Sequence, residues 1–182
     1  MHNSLQYRTS APRLRVKARV DYDIPMELPQ AHHIWSVYRA TYKGVPTYWK
    51  TAIAKVKRLG YAETLAGRRV KVEGNWAGSD AWSMEGTAIN YPVQGTGGEQ
   101  KYLALAVLKS YLQAERIHFA WDLHDGLYFF IPKAKTAKAM PTIKKMLDNL
   151  PYKQAWNFVP PIPMPFDAKV GGSWGSLQDW RE

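Results

Sequence analysis

Alternation of apolar and polar residues on both sides of one break narrows what residues 117 to 131 can become. Ile117, Phe119, Trp121 and Leu123 are apolar before His124-Asp125-Gly126, and Leu127, Phe129 and Ile131 are apolar after it. Two short runs of period two, separated by turn residues, predict a β-hairpin. Asp-Gly is a favoured two-residue hairpin turn, because both residues tolerate positive φ. Such a hairpin holds the Asp125 carboxylate rigidly at its tip, which suits metal-dependent phosphoryl transfer. It suits an ordinary Asp-Gly turn equally well.

At 182 residues the chain is one large domain or parts of two, and can bury a core. Apolar residues at 46% and aromatics at 13% exclude a disordered chain, and eight Trp with eleven Tyr suit packing, base stacking or both. Lys and Arg number 25 against 15 Asp and Glu, so the net charge is +10 and the isoelectric point about 9.7. That balance points to a polyanion partner, most simply nucleic acid, and otherwise to a merely soluble basic protein. With no Cys, disulfides and thiolate metal sites are excluded, which fits a reducing compartment. No apolar run approaches the roughly 18 to 20 residues of a membrane span, and Met1-His-Asn-Ser lacks the basic and apolar regions of a secretory signal.

Along the chain, Arg13-Leu-Arg-Val-Lys-Ala-Arg-Val20 alternates like a strand, whereas Pro12 could open a helix. Helical spacing runs from about Leu28 to Leu59, broken at Lys43-Gly-Val-Pro46 and ended by Gly60. Tyr61 to Val72 reads as basic and extended, and Glu73 to Gly86 as a loop. Gly98 to Ala114 predicts a helix apolar on nearly all sides, from Leu103, Leu105, Ala106, Val107, Leu108 and Leu112. Pro141 to Leu150 predicts another helix, Phe158 to Pro165 is neither helix nor central strand, and Phe166 to Val170 is a short strand before a Gly171–Gly175 turn. Taken alone, Asn90 before Pro92 reads as a turn residue and Gln94-Gly95 as a cap for the next helix.

Several segments, in order, resemble one family. Leu5-Gln-Tyr7 resembles the end of its nucleotide-selecting fingers helix. Gly60-Tyr-Ala-Glu-Thr-Leu-Ala-Gly-Arg-Arg69 resembles G-Y-x-E-T-x-x-G-R-R, and Ala88-Ile-Asn-Tyr-Pro-Val-Gln-Gly-Thr96 resembles A-I-N-x-P-x-Q-G-T. Leu123-His-Asp125 resembles the V-H-D core of its last catalytic motif, and Phe166 to Trp174 its V-D-V-x-x-G-x-x-W ending. The chain thus resembles the C-terminal half of the family A DNA polymerases, the Pol I-like enzymes of bacteria and phages, with a bacteriophage origin expected.

The resemblance implies a role for each matching residue. Asp125 would coordinate one or both Mg²⁺ ions that clamp the attacking and departing oxygens. His124 would contact the primer end. Asn90 and Gln94 would meet primer-template DNA in the minor groove, whose acceptors every base pair offers. Arg68 and Arg69 would hold phosphates, and Tyr7 would stack near the templating position. Read without the resemblance, the Arg pair is a solvated face and His124 an ordinary strand residue. The implied fold is α+β: residues 1–80 the helical end of the fingers, and residues 81–182 part of an antiparallel palm sheet packed with helices.

The family needs a second aspartate from a D-Y-S-Q-I-E-L-type motif that precedes the fingers helix. Asp21-Tyr-Asp-Ile-Pro-Met-Glu-Leu28 looks like a copy but follows Tyr7 instead, so it is set aside. Three further departures are Asn3 in place of an aromatic, Gly86 in place of an Arg, and Gly126 in place of a carboxylate. With one acidic ligand, Mg²⁺ would bind weakly. The expectation is a cytoplasmic polymerase fragment that takes dNTP and primer-template only beside a second polypeptide. The alternative is a non-catalytic remnant that binds duplex DNA.

Overall fold

The computed structural model describes residues 5–180, so Asn3 lies outside the described residues. The fold is α+β. Its helices are α1 (Ala11–Tyr22), α2 (Leu28–Thr41), α3 (Gly44–Leu59), α4 (Ala81–Glu115), α5 (Thr136–Asp148) and α6 (Tyr152–Trp156). Strands β1 (Tyr61–Glu63) and β2 (Arg69–Lys71), β3 (His118–Leu123) and β4 (Gly126–Phe130), and β5 (Lys169–Val170) and β6 (Gln178–Asp179) form three antiparallel two-stranded sheets. The chain divides into two compact units, Met1–Gly95 and Thr96–Glu182.

In the first unit the basic segment that alternates like a strand is helix α1. Ser10 caps it, Pro12 stands in its first turn, and Leu14 and Ala18 are buried at four-residue spacing while Arg15, Val16 and Arg19 are exposed. Helical period therefore places the apolar residues better than period two does. The α2–α3 break falls where Gly44 and Pro46 predict it, and Gly60 ends α3 at φ 76°, donating its N–H to Val56 O at 2.8 Å. The extended stretch after it is a hairpin, with Ala62 opposite Val70. Val56, Ala62, Val72, Met84 and Ala88 form one core here and Leu5, Leu14 and Tyr38 another.

The largest difference from the sequence reading is α4. It begins at Ala81, inside the expected loop, and continues through Asn90, Pro92, Gln94 and Gly95 to Glu115. Asn90 is therefore no turn residue, and Gln94-Gly95 no cap. Proline lacks an N–H and crowds the preceding turn. In the turn before it, the Tyr48 hydroxyl donates to Ile89 O at 2.7 Å, tying the helix to α3. Gly95 is needed for contact: a Cβ there would stand 2.6 Å from Thr64 Cγ2.

In the second unit α4 buries a stripe of Lys101, Ala104, Leu108 and Leu112, but Tyr102 and Ala106 are exposed, so the helix is one-sided. The α5 residues Ala139, Ile143 and Leu147 complete this core with Ile117, Leu150 and Tyr152, and Leu127, Phe129 and Ile131 pack on it. Helix α5 starts five residues before Pro141, and the short α6 carries no signal strong enough to predict it. Strand β5 is only Lys169–Val170 and pairs with β6 alone. No helix among the described residues is long and apolar enough to cross a membrane.

Gly95→Ala gains helix propensity of about 1 kcal/mol but overpacks a buried contact, at a cost of about 1–3 kcal/mol. Urea unfolding is expected to show a net loss of stability. Thr64→Ser in the same chain recovers most of it, since it removes Cγ2 and keeps the hydroxyl that accepts the Arg68 N–H at 3.0 Å. A stabilised Gly95→Ala chain would contradict the contact.

Candidate functional site

The expected hairpin forms, with its turn one residue earlier than Asp-Gly predicts. Leu123 pairs with Gly126, so the two loop residues are His124 and Asp125, and His124 takes the left-handed conformation at φ 51°. Both side chains are exposed. Gly126 carries its own constraint, because a Cβ would stand 2.9 Å from the Tyr128 hydroxyl oxygen and 3.1 Å from its ring. A carboxylate-bearing residue there would displace Tyr128.

Strand β3 does not keep its alternation. The register shifts between Phe119 and Trp121, leaving Ala120 as the extra residue of a bulge. Phe119 pairs with Phe129, whereas Trp121 pairs with Tyr128, so these neighbouring odd positions lie on opposite faces. The expected single apolar face of Ile117, Phe119, Trp121 and Leu123 is therefore split. Trp121 stacks on Tyr128 and Trp174, with centroids 5.6 Å apart in each pair. This face is uncovered: Trp121 is 42% exposed, Leu123 46%, Trp174 50% and Phe130 63%.

The bulge also turns Asp122 to the side of its pairing partner Leu127, which packs on the core. There the Lys101 Nζ donates to Asp122 Oδ2 at 2.7 Å, and Lys101 is only 8% exposed. The hydrogen bond and charge of Lys101 hold the Asp122 carboxyl below the usual carboxylate range.

The first unit holds a second candidate surface. Indole N–H groups clamp the segment carrying Tyr7: Trp49 donates to Gln6 O at 2.9 Å and Trp35 to Thr9 O at 3.1 Å. Arg39 lies 4.3 Å over the Trp35 ring centroid. The clamped segment opens onto a cavity of about 420 Å³ lined by Tyr7, Arg8, Arg13, Lys17, Trp82 and Asn90, among others. Arg8 pairs with Glu85 and lies 5.4 Å over the half-exposed Trp82 ring. Arg13 and Lys17, four apart on α1, place two cations on one side, though Lys17 also lies 3.5 Å from Asp21. The Asn90 Oδ1 is buried and accepts no hydrogen bond. Stacking rings and cations around one cavity are a nucleotide-binding chemistry. Gly86 also lines the cavity, and nothing lies within 4 Å of where its Cβ would stand.

Tyr7 and Asn90 thus share one cavity. Gln94 is exposed on α4, and Arg68 lies 5.7 Å over the Tyr91 ring beside Gly95. Arg69 is engaged in its own sheet: its Nε donates to Glu63 Oε1 at 2.8 Å, and its guanidinium lies 4.4 Å over Tyr61. Asp21, in the rejected motif copy, lies in the last turn of a helix and not on a strand. Among the described residues no group of three or more His, Asp or Glu could hold a metal ion. The described residues therefore do not fit a complete two-ion site.

Residues 6–176 match the model of DNA polymerase family A. The chain belongs to that family. It is 28% identical over 160 residues to DNA polymerase I of Deinococcus radiodurans, covering 86% of this chain and 16% of that protein. It is 24% identical over 153 residues to DNA polymerase theta of Caenorhabditis elegans, covering 84% of this chain and 9% of that protein. Among solved structures, the POL domain of Pol1 from M. smegmatis, in complex with DNA primer-template and dNTP, matches with TM-score 0.71 at 20% identity. That match covers 82% of this chain and 26% of the other. The chain therefore spans under a fifth of these two relatives.

Arg8, Arg13, Lys17, Trp82, Lys101 and Asp122 escaped the sequence reading. The four-residue spacing of Arg13 and Lys17 signals one helix face once α1 is taken as a helix. Lys101, three residues before Ala104, stands in an apolar stripe, which signals a buried partner. Because the Asp122 carboxyl is depressed on folding, its contribution is complete above its unfolded pKa of about 3.9. That contribution is lost as pH falls through the lower folded value. An NMR titration of Asp122 is expected to give a midpoint below about 3.9 natively and near it in Lys101→Met. An unmoved midpoint contradicts the pairing.

Proposed function

We propose that this chain is the C-terminal portion of a template-directed DNA polymerase, binding primer-template and incomplete for catalysis by itself. Residues 1–80 are the end of the fingers and residues 81–182 part of the palm. The observation that carries the reading is Asp125, exposed on a two-residue turn in a chain of this family. Family membership supports reading an otherwise ordinary hairpin carboxylate as a metal ligand.

Tyr7 and Trp82 offer faces for bases, Arg13 and Lys17 meet phosphates, and Asn90 lines the same cavity. Arg68 adds charge near Gln94. Arg69 serves the β1–β2 sheet before it serves DNA, because Glu63 already neutralises it. His124, beside Asp125, contacts the primer end.

Asp125 would hold Mg²⁺, which when bound supplies charge stabilisation to phosphoryl transfer. One carboxylate holds this ion weakly, so the other aspartate and the triphosphate-binding cations come from outside these residues, for which a second polypeptide is the proposed source. The uncovered face of Trp121, Leu123, Phe130 and Trp174 and the short two-stranded hairpin suit such a companion, since both gain by being covered. The pair would act on dNTP in the cytoplasm of a bacterium or infected cell. The single acidic ligand also favours a second reading, a duplex-DNA-binding remnant without chemistry.

Fluorescence anisotropy with a labelled primer-template, at several KCl concentrations, tests the shared binding claim. Affinity is expected to fall steeply with salt, and Arg13→Ala and Lys17→Ala each to lower the log–log slope by about 0.9. Asp125→Ala does not weaken binding, and Gly86→Arg, adding a cation at open space, strengthens it. No binding, or binding indifferent to salt, contradicts the proposal.

A further inference from the structure

We infer that Lys101 and Asp122 are positioning residues that fix the tip of the β3–β4 hairpin, and Asp125 with it, against helix α4. Three observations converge on the pair. Lys101 occupies a place in the stripe otherwise made of Ala104, Leu108 and Leu112, and like them is buried, at 8% exposure. A lysine ammonium in such a place is costly unless paired, and Asp122 Oδ2 lies 2.7 Å from its Nζ.

The bulge is what makes the pairing possible. Strict alternation from Phe119 would send Asp122 to the face opposite Phe119. The extra residue at Ala120 returns it to the side of Leu127 and the core. Bulges commonly re-aim a side chain in this way. From Asp122 to Asp125 the backbone has no slack: Leu123 is paired with Gly126, and His124 is held at φ 51°.

Only the Lys101 end of the pair is buried, while the Asp122 side chain is 42% exposed, so the pair adds little to stability beyond partnering the ammonium. What the ion pair adds is direction. It selects one seating of a hairpin whose other face is uncovered and whose strands pair only with each other.

The significance of the seating for chemistry rests on the reading of Asp125 as a metal ligand. The seating itself can be tested without that reading. Native-state amide exchange by NMR, on the full chain, compares the amides of residues 123–126 with those of Leu108 and Leu112. In Lys101→Met and in Asp122→Asn the turn amides are expected to exchange at least tenfold faster, with the helix amides unchanged. Lys101→Arg, which keeps charge and reach, restores the native pattern. Turn exchange that is unchanged, or acceleration spread equally over the unit, overturns the inference. Asp122→Asn carries the test if Lys101→Met does not fold.

Added Mn²⁺ is the probe for the link to Asp125. It is expected to broaden the 124–126 signals in the native chain and to do so several-fold less in Lys101→Met. Equal broadening in both overturns the positioning role. No broadening in the native chain, with the exchange pattern intact, counts against Asp125 as a ligand and leaves the seating standing.

Discussion

A two-residue turn leaves its side chains nowhere to go but out. With Leu123 paired directly to Gly126, His124 and Asp125 project into solvent from the end of the hairpin. The rest of the second unit reads as support for that tip. Leu127, Phe129 and Ile131 seat one face on the core of α4 and α5, and Lys101 ties the same face through Asp122. Tyr128, filling the space a side chain at Gly126 would need, stacks with Trp121 and Trp174 on the other, uncovered face.

The first unit builds differently, by clamping a loop instead of closing a sheet. Trp35 and Trp49 each spend an indole N–H on a backbone carbonyl of the segment around Tyr7. That leaves Tyr7, Arg13, Lys17, Trp82 and Asn90 around an open cavity. The same aromatic richness that fills the cores thus also holds a cationic surface in place. Both uses follow from side chains that pair a large apolar body with one polar atom.

Much of the architecture was legible in the residues because local rules agreed with packing. Gly44, Pro46 and Gly60 bound α3 as their backbone preferences demand, and the apolar runs around residue 124 form their hairpin. Where rules competed, tertiary contact decided. Arg13 to Val20 alternates like a strand, yet buries Leu14 and Ala18 as a helix. Pro92 and Gly95 look like helix breakers, but Tyr48 bonds the helix at Ile89 O and Thr64 fills the space a larger residue would take. The bulge at Ala120 left no mark in the residue pattern, and with it the partnership of Lys101 and Asp122 stayed hidden. The candidate residues Asp125 and His124 were visible through the family's motif. The cavity around Tyr7 was visible only in part, because its cations come from a helix whose period was ambiguous.

The proposed role of Asp125, one acidic ligand of a metal site whose other ligands lie outside these residues, can be tested directly. Primer extension with the purified chain, Mg²⁺ and all four dNTPs tests it most directly. No nucleotide is expected to be added by the chain alone, and extension is expected to appear when a polypeptide supplying the missing aspartate is mixed in. Extension by the chain unaccompanied would contradict the claim.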